Sequence, residues 1–154
     1  GYGDLPEWLS VVPRPSAYHT LVNNTWQTTA DAMRAWLEES QALAVRRIDD
    51  AYLNAMTIYS IKAPERAAKV AEAGRLDSIN TPMLNSYAQA AGLTREAAAA
   101  KILGNRDSAE QALVRLSLLK NLKYGVAALT SATEVIAYAD SAVKRIEELA
   151  QTLN

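Results

Sequence analysis

The sequence predicts an all-α protein in which long helical hairpins form an elongated bundle or coiled coil, preceded by an extended N-terminal arm that can include a short β-hairpin. From Thr29 onward, alanine, leucine and other apolar residues recur at helical spacing. The chain also ends in a heptad pattern of apolar residues: Val135, Ala139, Ala142, Ile146, Leu149 and Leu153. We therefore divide the sequence into an arm, residues 1–28, and a helical body, residues 29–154.

Composition excludes several classes of function. The 154 residues carry 16 basic and 17 acidic side chains and no cysteine. No block of like charges suits nucleic acid, and no apolar run reaches the roughly 18 residues of a membrane-spanning helix. We therefore expect a soluble chain without an export signal, nucleic-acid partner, membrane partner, metal or cofactor. Gly1 fits either removal of an initiator methionine or a boundary within a longer chain, and the sequence does not separate the two.

The arm is predicted to be extended because proline lacks an amide donor and disfavours helix in the residue before it. It contains three such residues, Pro6, Pro13 and Pro15. Within the arm, Tyr18–Val22 and Thr25–Thr28 can pair as two short strands, since the Asn23-Asn24 pair between them tolerates positive φ. An isolated hairpin of this size is marginal, so we expect it to dock on another surface.

A long helix is predicted over residues 30–63, with Thr28 or Thr29 as its N-cap. Pro64 should end or kink it, because proline removes a helical hydrogen bond. A short helix over 65–73 should follow and close at a glycine.

Two further short helices are predicted. Thr81-Pro82 is typical of a helix start and predicts a helix over 82–91, and Thr94 predicts a second helix over 95–103. Gly104 either ends the helix or lies inside a longer helix, where it lowers stability by about 1 kcal/mol relative to alanine.

The C-terminal part predicts a helical hairpin over residues 107–128 and 132–152. Ser131 and Glu134 form a capping-box sequence at the start of the second helix. Because the link between the two helices is short, we expect them to be antiparallel neighbours.

No residue pattern predicts a catalytic, cofactor or metal site. His19 is the only histidine, and the acidic pairs Asp49-Asp50 and Glu147-Glu148 point about 100° apart on a helix. An enzyme would need a site formed between subunits, from carboxylates such as Asp49 and Glu147 together with His19.

The aromatic side chains of the arm are the candidates for partner binding: Trp8, Tyr18, His19 and Trp26. They either fold back on the helices or bind a partner, where aromatic residues contribute strongly. The C-terminal heptad residues also have two interpretations, as the face that closes an intramolecular hairpin or as an oligomer seam. We favour a bundle that also forms a homo-oligomer.

Several short elements occur in a fixed order along the chain. They are Pro15-Ser16-Ala17-Tyr18-His19, Asn24-Thr25-Trp26, Ile48-Asp49-Asp50-Ala51-Tyr52, Thr81-Pro82, Tyr87-Ala88, Gly92-Leu93-Thr94, Ala97-Ala98 and Ile102-Leu103. In this pattern the chain resembles small helical proteins encoded beside bacteriophage tail-fibre genes, including tail-fibre assembly proteins. It departs from them at 109–112, where an aromatic residue is expected, and at 116–120, where the family has arginines.

The resemblance implies a phage tail structural or tail-fibre assembly protein, with a chaperone role, that contacts a fibre or baseplate protein. Its location would be the virion tail, or the host cytoplasm during assembly. The alternative is a generic bacterial helical adaptor or oligomerisation module in which the arm packs only on its own chain.

Overall fold

The structure, a computed structural model, describes residues 13–153 and confirms an all-α fold preceded by a β-hairpin. The elements in chain order are β1 Thr20–Val22, β2 Thr25–Gln27, α1 Ala30–Ala73, α2 Pro82–Ala91, α3 Arg95–Lys120, a 3-10 helix Asn121–Ala128 and α4 Ala132–Gln151.

The hairpin forms at the predicted place. β1 and β2 are antiparallel, with Leu21 opposite Trp26. The two turn residues have positive φ, 49° at Asn23 and 63° at Asn24. Asparagine tolerates this backbone region better than other residues that carry a side chain, which explains why the turn lies at this pair.

Helix α1 has 44 residues and packs against both other long helices. It runs parallel to α4, because Arg47 pairs with Asp140 near one end while Arg66 and Thr152 line the same cleft further along. Helix α3 lies between them in sequence and runs in the opposite direction. The predicted antiparallel relation of the last two helices is therefore present, but α4 packs chiefly on α1.

The buried apolar residues form two separate clusters. We call the larger one, between α1, α3, the 3-10 helix and α4, the main core: Ala44, Ile48, Ala51, Ala55, Ala112, Leu116, Val126, Val135, Ala139, Ala142, Ile146, Ala150 and Leu153. The small core joins the end of α1 to α2 and the start of α3: Ala73, Leu84, Ala88, Ala98, Ala99 and Ile102. Alanine predominates in both, which lets the helix backbones approach closely.

The predicted break at Pro64 is wrong, since α1 continues through it and joins the predicted helices 30–63 and 65–73. Proline deprives the Ser60 carbonyl of its usual helical amide. Pro64 and Ser60 are both exposed, so water can satisfy that carbonyl. Packing holds the helix on either side of Pro64, through the main core before it and the small core after it.

Helix α3 likewise continues through Gly104. The helices predicted separately over 95–103 and 107–128 therefore form a single α-helix that ends at Lys120. Ile102 and Ala109 are buried on either side of the glycine. Their packing outweighs the glycine's weak preference for helix, which is the longer-helix alternative left open by the sequence.

The predicted helix over 107–128 changes to 3-10 winding after Lys120. The Tyr138 hydroxyl of α4 donates a hydrogen bond of 2.6 Å to the Leu122 carbonyl oxygen. A Cβ at Gly125 would lie 2.5 Å from that hydroxyl, so the glycine provides the space that the tyrosine occupies. The change from α-helix to 3-10 helix thus coincides with a contact made by Tyr138 of α4. The local sequence around residues 121–128 does not predict that contact.

The helix N-caps are mostly those predicted. The hydroxyl oxygens of Thr29, Thr94 and Ser131 accept hydrogen bonds from amides in the first turns of α1, α3 and α4. Thr81 precedes α2 but does not cap it with its hydroxyl. The Glu72 carboxylate, reaching from α1, instead accepts a 3.1 Å bond from the Met83 amide at the start of α2.

Arg95 fixes the connector between α1 and α2. Its guanidinium donates to the backbone carbonyl oxygens of Leu76 at 3.1 Å and Ser78 at 2.8 Å. It also donates to the Thr81 hydroxyl oxygen at 2.9 Å and to Asn85 Oδ1 at 3.0 Å. One side chain thereby joins the connector, α2 and α3.

Replacement of Gly125 and of Gly104 by alanine should have opposite effects on stability. Gly125→Ala places a methyl group against the Tyr138 hydroxyl and should lower the free energy of unfolding by about 1–3 kcal/mol. Gly104→Ala adds a methyl group that has no atom within 4 Å and should raise it by about 1 kcal/mol. Urea unfolding followed by circular dichroism measures both. Tyr138→Phe added to Gly125→Ala should recover part of the loss, and wild-type stability of Gly125→Ala alone would contradict the contact.

Arg95→Gln should lower the free energy of unfolding by about 2–4 kcal/mol, because it removes the charge-assisted hydrogen bonds that join the connector to α2 and α3. Arg34→Gln is the matched control, since Arg34 makes only an exposed 3.7 Å ion pair with Asp31. That control should change stability by less than about 0.5 kcal/mol. Equal effects of the two substitutions in the same urea experiment would show that the connector does not depend on Arg95.

Candidate partner-binding surface

The described part of the arm is held together by polar contacts of its own. Arg14 donates to the carbonyl oxygens of His19 and Ala17, each at 2.9 Å. Ser16 Oγ and His19 Nδ1 share a hydrogen bond of 2.7 Å. The Thr28 hydroxyl donates to the Tyr18 carbonyl oxygen at 3.1 Å and closes the arm across the hairpin. These bonds give the arm a defined shape before α1 begins.

His19 places the arm on α1. Its ring meets the Trp36 ring edge to face, with centroids 5.4 Å apart and an angle of 83° between the planes. Aromatic pairs favour this geometry, and it accounts for the half-buried state of both side chains. Trp36 of α1 therefore lies beneath the arm.

A groove of about 220 Å³ lies between the arm, α1 and α4. The arm contributes Ser16, Ala17 and Tyr18, and α1 contributes Trp36 and Ser40 among others. The lining is predominantly apolar. The groove is thus suited to an apolar side chain of a binding partner.

Two apolar residues of the groove remain open to solvent. Leu43 of α1 is 47% exposed and Ile136 of α4 is 40% exposed. The Arg47–Asp140 ion pair, 2.8 Å long, joins the same two helices beside them, and Arg47 lines the groove. An apolar centre with charged groups beside it resembles the organisation of protein interfaces.

The predicted partner-binding residues have different locations. Tyr18 lines the groove, and His19 contacts Trp36 next to it. Trp26 is half-buried in β2, opposite Leu21. Trp8 lies outside the described residues. The structure therefore places two of the four at this surface, and the aromatic content of the arm was the signal for both.

The predicted seam residues lie within the chain's own bundle. Val135, Ala139, Ala142, Ile146 and Leu153 are each at most 5% exposed. Leu149 is half-buried and packs against the main core. In this structure the heptad residues pack within a single chain, as the intramolecular interpretation expects. Contact between two copies of the chain in this conformation would use other surfaces.

The three residues of the enzyme hypothesis have separate surroundings. Asp49 accepts a 2.8 Å bond from Lys123, His19 contacts Ser16 and Trp36, and Glu147 is exposed on α4. Within one chain they do not form a common site. Residues 13–153 also contain no group of three or more histidine, aspartate or glutamate side chains placed to hold a metal ion.

Two ion pairs shift the pKa of one of their members. The pKa of Lys123 is raised, chiefly because its ammonium donates a hydrogen bond to the Asp49 carboxylate. The pKa of Glu65 is lowered, chiefly by the hydrogen bond from Lys69, 3.0 Å away. Each shift favours the charged form of the residue that carries it, Lys123 or Glu65.

Sequence reasoning missed Leu43 and Ile136, because both lie within apolar helix patterns that also contain core residues. It also missed a basic row on α1 formed by Lys62, Arg66 and Lys69, which line a second cleft. Their i, i+4, i+7 spacing places them on one helix face and was the available signal.

Comparison with models of protein families, with curated proteins and with solved structures gives no match. Among the helices of residues 13–153, none has the combination of length and apolarity needed to cross a membrane.

Replacing Trp36 should separate His19 from its aromatic neighbour. Because the chain has a single histidine, its ring protons can be assigned without ambiguity by NMR. In the wild type these signals should be displaced by the Trp36 ring current, and in Trp36→Leu they should move to the positions of an exposed histidine. Tyr124→Leu, which removes a 72% exposed ring, is the control and should leave them unchanged. Identical histidine spectra of wild type and Trp36→Leu would contradict the docked arm.

Proposed function

We propose that this chain is a phage tail structural or tail-fibre assembly protein that acts through protein–protein contact. The observation that carries the proposal is the groove between the arm, α1 and α4, where Leu43 and Ile136 remain partly exposed. The resemblance of the sequence elements to tail-fibre assembly proteins supports the choice of partner, a fibre or baseplate protein.

The geometry favours binding over catalysis as the role of this surface. Its lining is mainly apolar, and the arm that covers one side is fixed to α1 by the His19–Trp36 contact. A pre-formed groove spares the partner much of the entropic cost of ordering the surface it binds. The partner would insert an apolar side chain between Leu43 and Ile136.

In this role the protein would be located in the virion tail, or in the host cytoplasm during assembly. Self-association would be its second mode of contact. In the described conformation the heptad residues are buried, so self-association would use exposed surface. Mass measurement in solution and mass spectrometry of purified virions address these two points separately.

If the gene beside this chain encodes a fibre protein, as the proposal expects, co-expression of the two proteins tests the proposal. Wild-type chain should increase the yield of soluble fibre trimer and co-purify with it. Ile136→Asp should weaken co-purification by about 30-fold, the equivalent of about 2 kcal/mol for a central interface residue. Leu53→Asp is the matched control because Leu53 is 59% exposed and lies outside the groove. It should bind as the wild type does.

Circular dichroism must show that both variants keep the wild-type helix content. The proposal fails if fibre solubility and trimer yield are the same with and without the chain and the chain is absent from purified virions. Equal loss of binding in both variants would place the contact outside the groove. A neighbouring gene unrelated to tails would favour the alternative, a generic helical adaptor.

A further inference from the structure

A second cleft, of about 480 Å³, lies on α1 and α3, between the end of α4 and helix α2. Helix α4 ends at Gln151, well before the end of α1, and the small core holds α2 at the far end. The gap between them leaves one stretch of α1 and α3 open. The side chains that line it are mainly polar, unlike those of the groove at the arm.

The cleft has an excess of positive charge. Lys62, Arg66 and Lys69 line it together with a single carboxylate, Glu65, which gives a net charge of +2. Lys69 is paired with Glu65 at 3.0 Å. Lys62 and Arg66 form no ion pair with any other side chain in the described part of the chain. Two cationic groups are therefore available to an anion.

The end of α4 does not use these cations as hydrogen-bond donors. The Leu149 carbonyl oxygen accepts from the Thr152 amide at 3.1 Å and from its hydroxyl at 2.6 Å. The Ala150 carbonyl oxygen accepts from the Leu153 amide at 3.0 Å. Bonds within the last turn thus satisfy these carbonyls, and the donors of Lys62 and Arg66 remain available to a ligand.

Arg66 makes a cation–π contact that is compatible with oxyanion binding. Its guanidinium carbon lies 5.2 Å from the centroid of the Tyr59 ring. Stacking on an aromatic ring leaves the N–H groups at the edge of the guanidinium available, and their planar arrangement matches two oxygens of a phosphate or carboxylate. Asn105 and Ser108 of α3 add neutral donors to the same cleft.

The charge and the shape together select a class of ligand. A phosphate monoester carries about −1.5 to −2 charges at pH 7, which matches the charge of the cleft better than a single carboxylate does. The Tyr87 ring lines the cleft at the α2 side, with the Lys69 ammonium 5.8 Å from its centroid, and the volume lies within the range of small-molecule pockets. From this geometry we infer that the cleft binds a small organic phosphate, with the phosphate at Lys62 and Arg66 and the organic part against Tyr87.

NMR titration of the 15N-labelled full chain tests the inference, with phenyl phosphate and inorganic phosphate as probes and sodium chloride at equal ionic strength as the blank. Both phosphates should give saturable shifts confined to amides around the cleft. Phenyl phosphate should bind more tightly, because its ring can contact Tyr87 and the Lys69 ammonium beside it. Tyr87→Leu should reduce that preference without removing the response to inorganic phosphate.

Charge variants locate the phosphate. Lys62→Gln and Arg66→Gln should each weaken phenyl phosphate binding by about tenfold, since each removes a charged hydrogen-bond donor. Lys144→Gln is the matched control, because Lys144 is exposed on α4 and outside the cleft. Ser108→Asp adds a carboxylate to the cleft while leaving Arg66 on Tyr59, and it should also weaken binding by about tenfold.

Shifts that do not saturate, or that sodium chloride reproduces, would overturn the inference. So would unchanged affinity in Arg66→Gln and Ser108→Asp when both variants keep the wild-type helix content. Binding only to a phosphorylated peptide or to vesicles with anionic headgroups would overturn the assignment to a small molecule. Ile136→Asp should bind phenyl phosphate as the wild type does, because the partner groove shares no lining residue with this cleft.

Discussion

The packing of α3 and α4 against one continuous helix is the constraint on which the structure depends. Helix α1 contributes to both the main core and the small core, whereas α3 and α4 make less contact with each other. Small residues such as Ala44, Ala51 and Ala55 let the other helices approach its backbone closely. The second cleft follows from this arrangement, because it lies where α4 ends and leaves part of α1 uncovered.

Much of the fold could be predicted from local signals. The β-hairpin with its turn at Asn23-Asn24 and the limits of α2 and α4 follow from turn propensity, capping residues and helical period. The breaks expected at Pro64 and Gly104 do not occur, because packing on both sides holds the helix through each position. The unfavourable helix propensity of proline or glycine costs only about 1–3 kcal/mol at such a site, and the stabilisation from tertiary packing is larger.

The candidate sites were less predictable than the fold. Aromatic residues in the arm indicated Tyr18 and His19, but their position over Trp36 depends on how the arm folds back. The groove between Leu43 and Ile136 depends on the parallel packing of α1 and α4. These helices are distant in sequence, so local sequence patterns do not predict that packing. In the same way, the basic row on α1 becomes the lining of a cleft only because α4 is shorter than α1.

The parallel pairing of α1 and α4 has a consequence for the order of folding. The small core and its connector are closed by contacts between residues near in sequence, such as Glu72 with Met83, 11 positions apart, and Leu76 with Arg95, 19 apart. The contact between Gln41 and Leu129 spans 88 positions. Closing a longer loop costs more entropy and requires more of the chain to have left the ribosome. The main core along the first half of α1 is therefore completed only after the last helix has been synthesised, while the end of the same helix can already be packed.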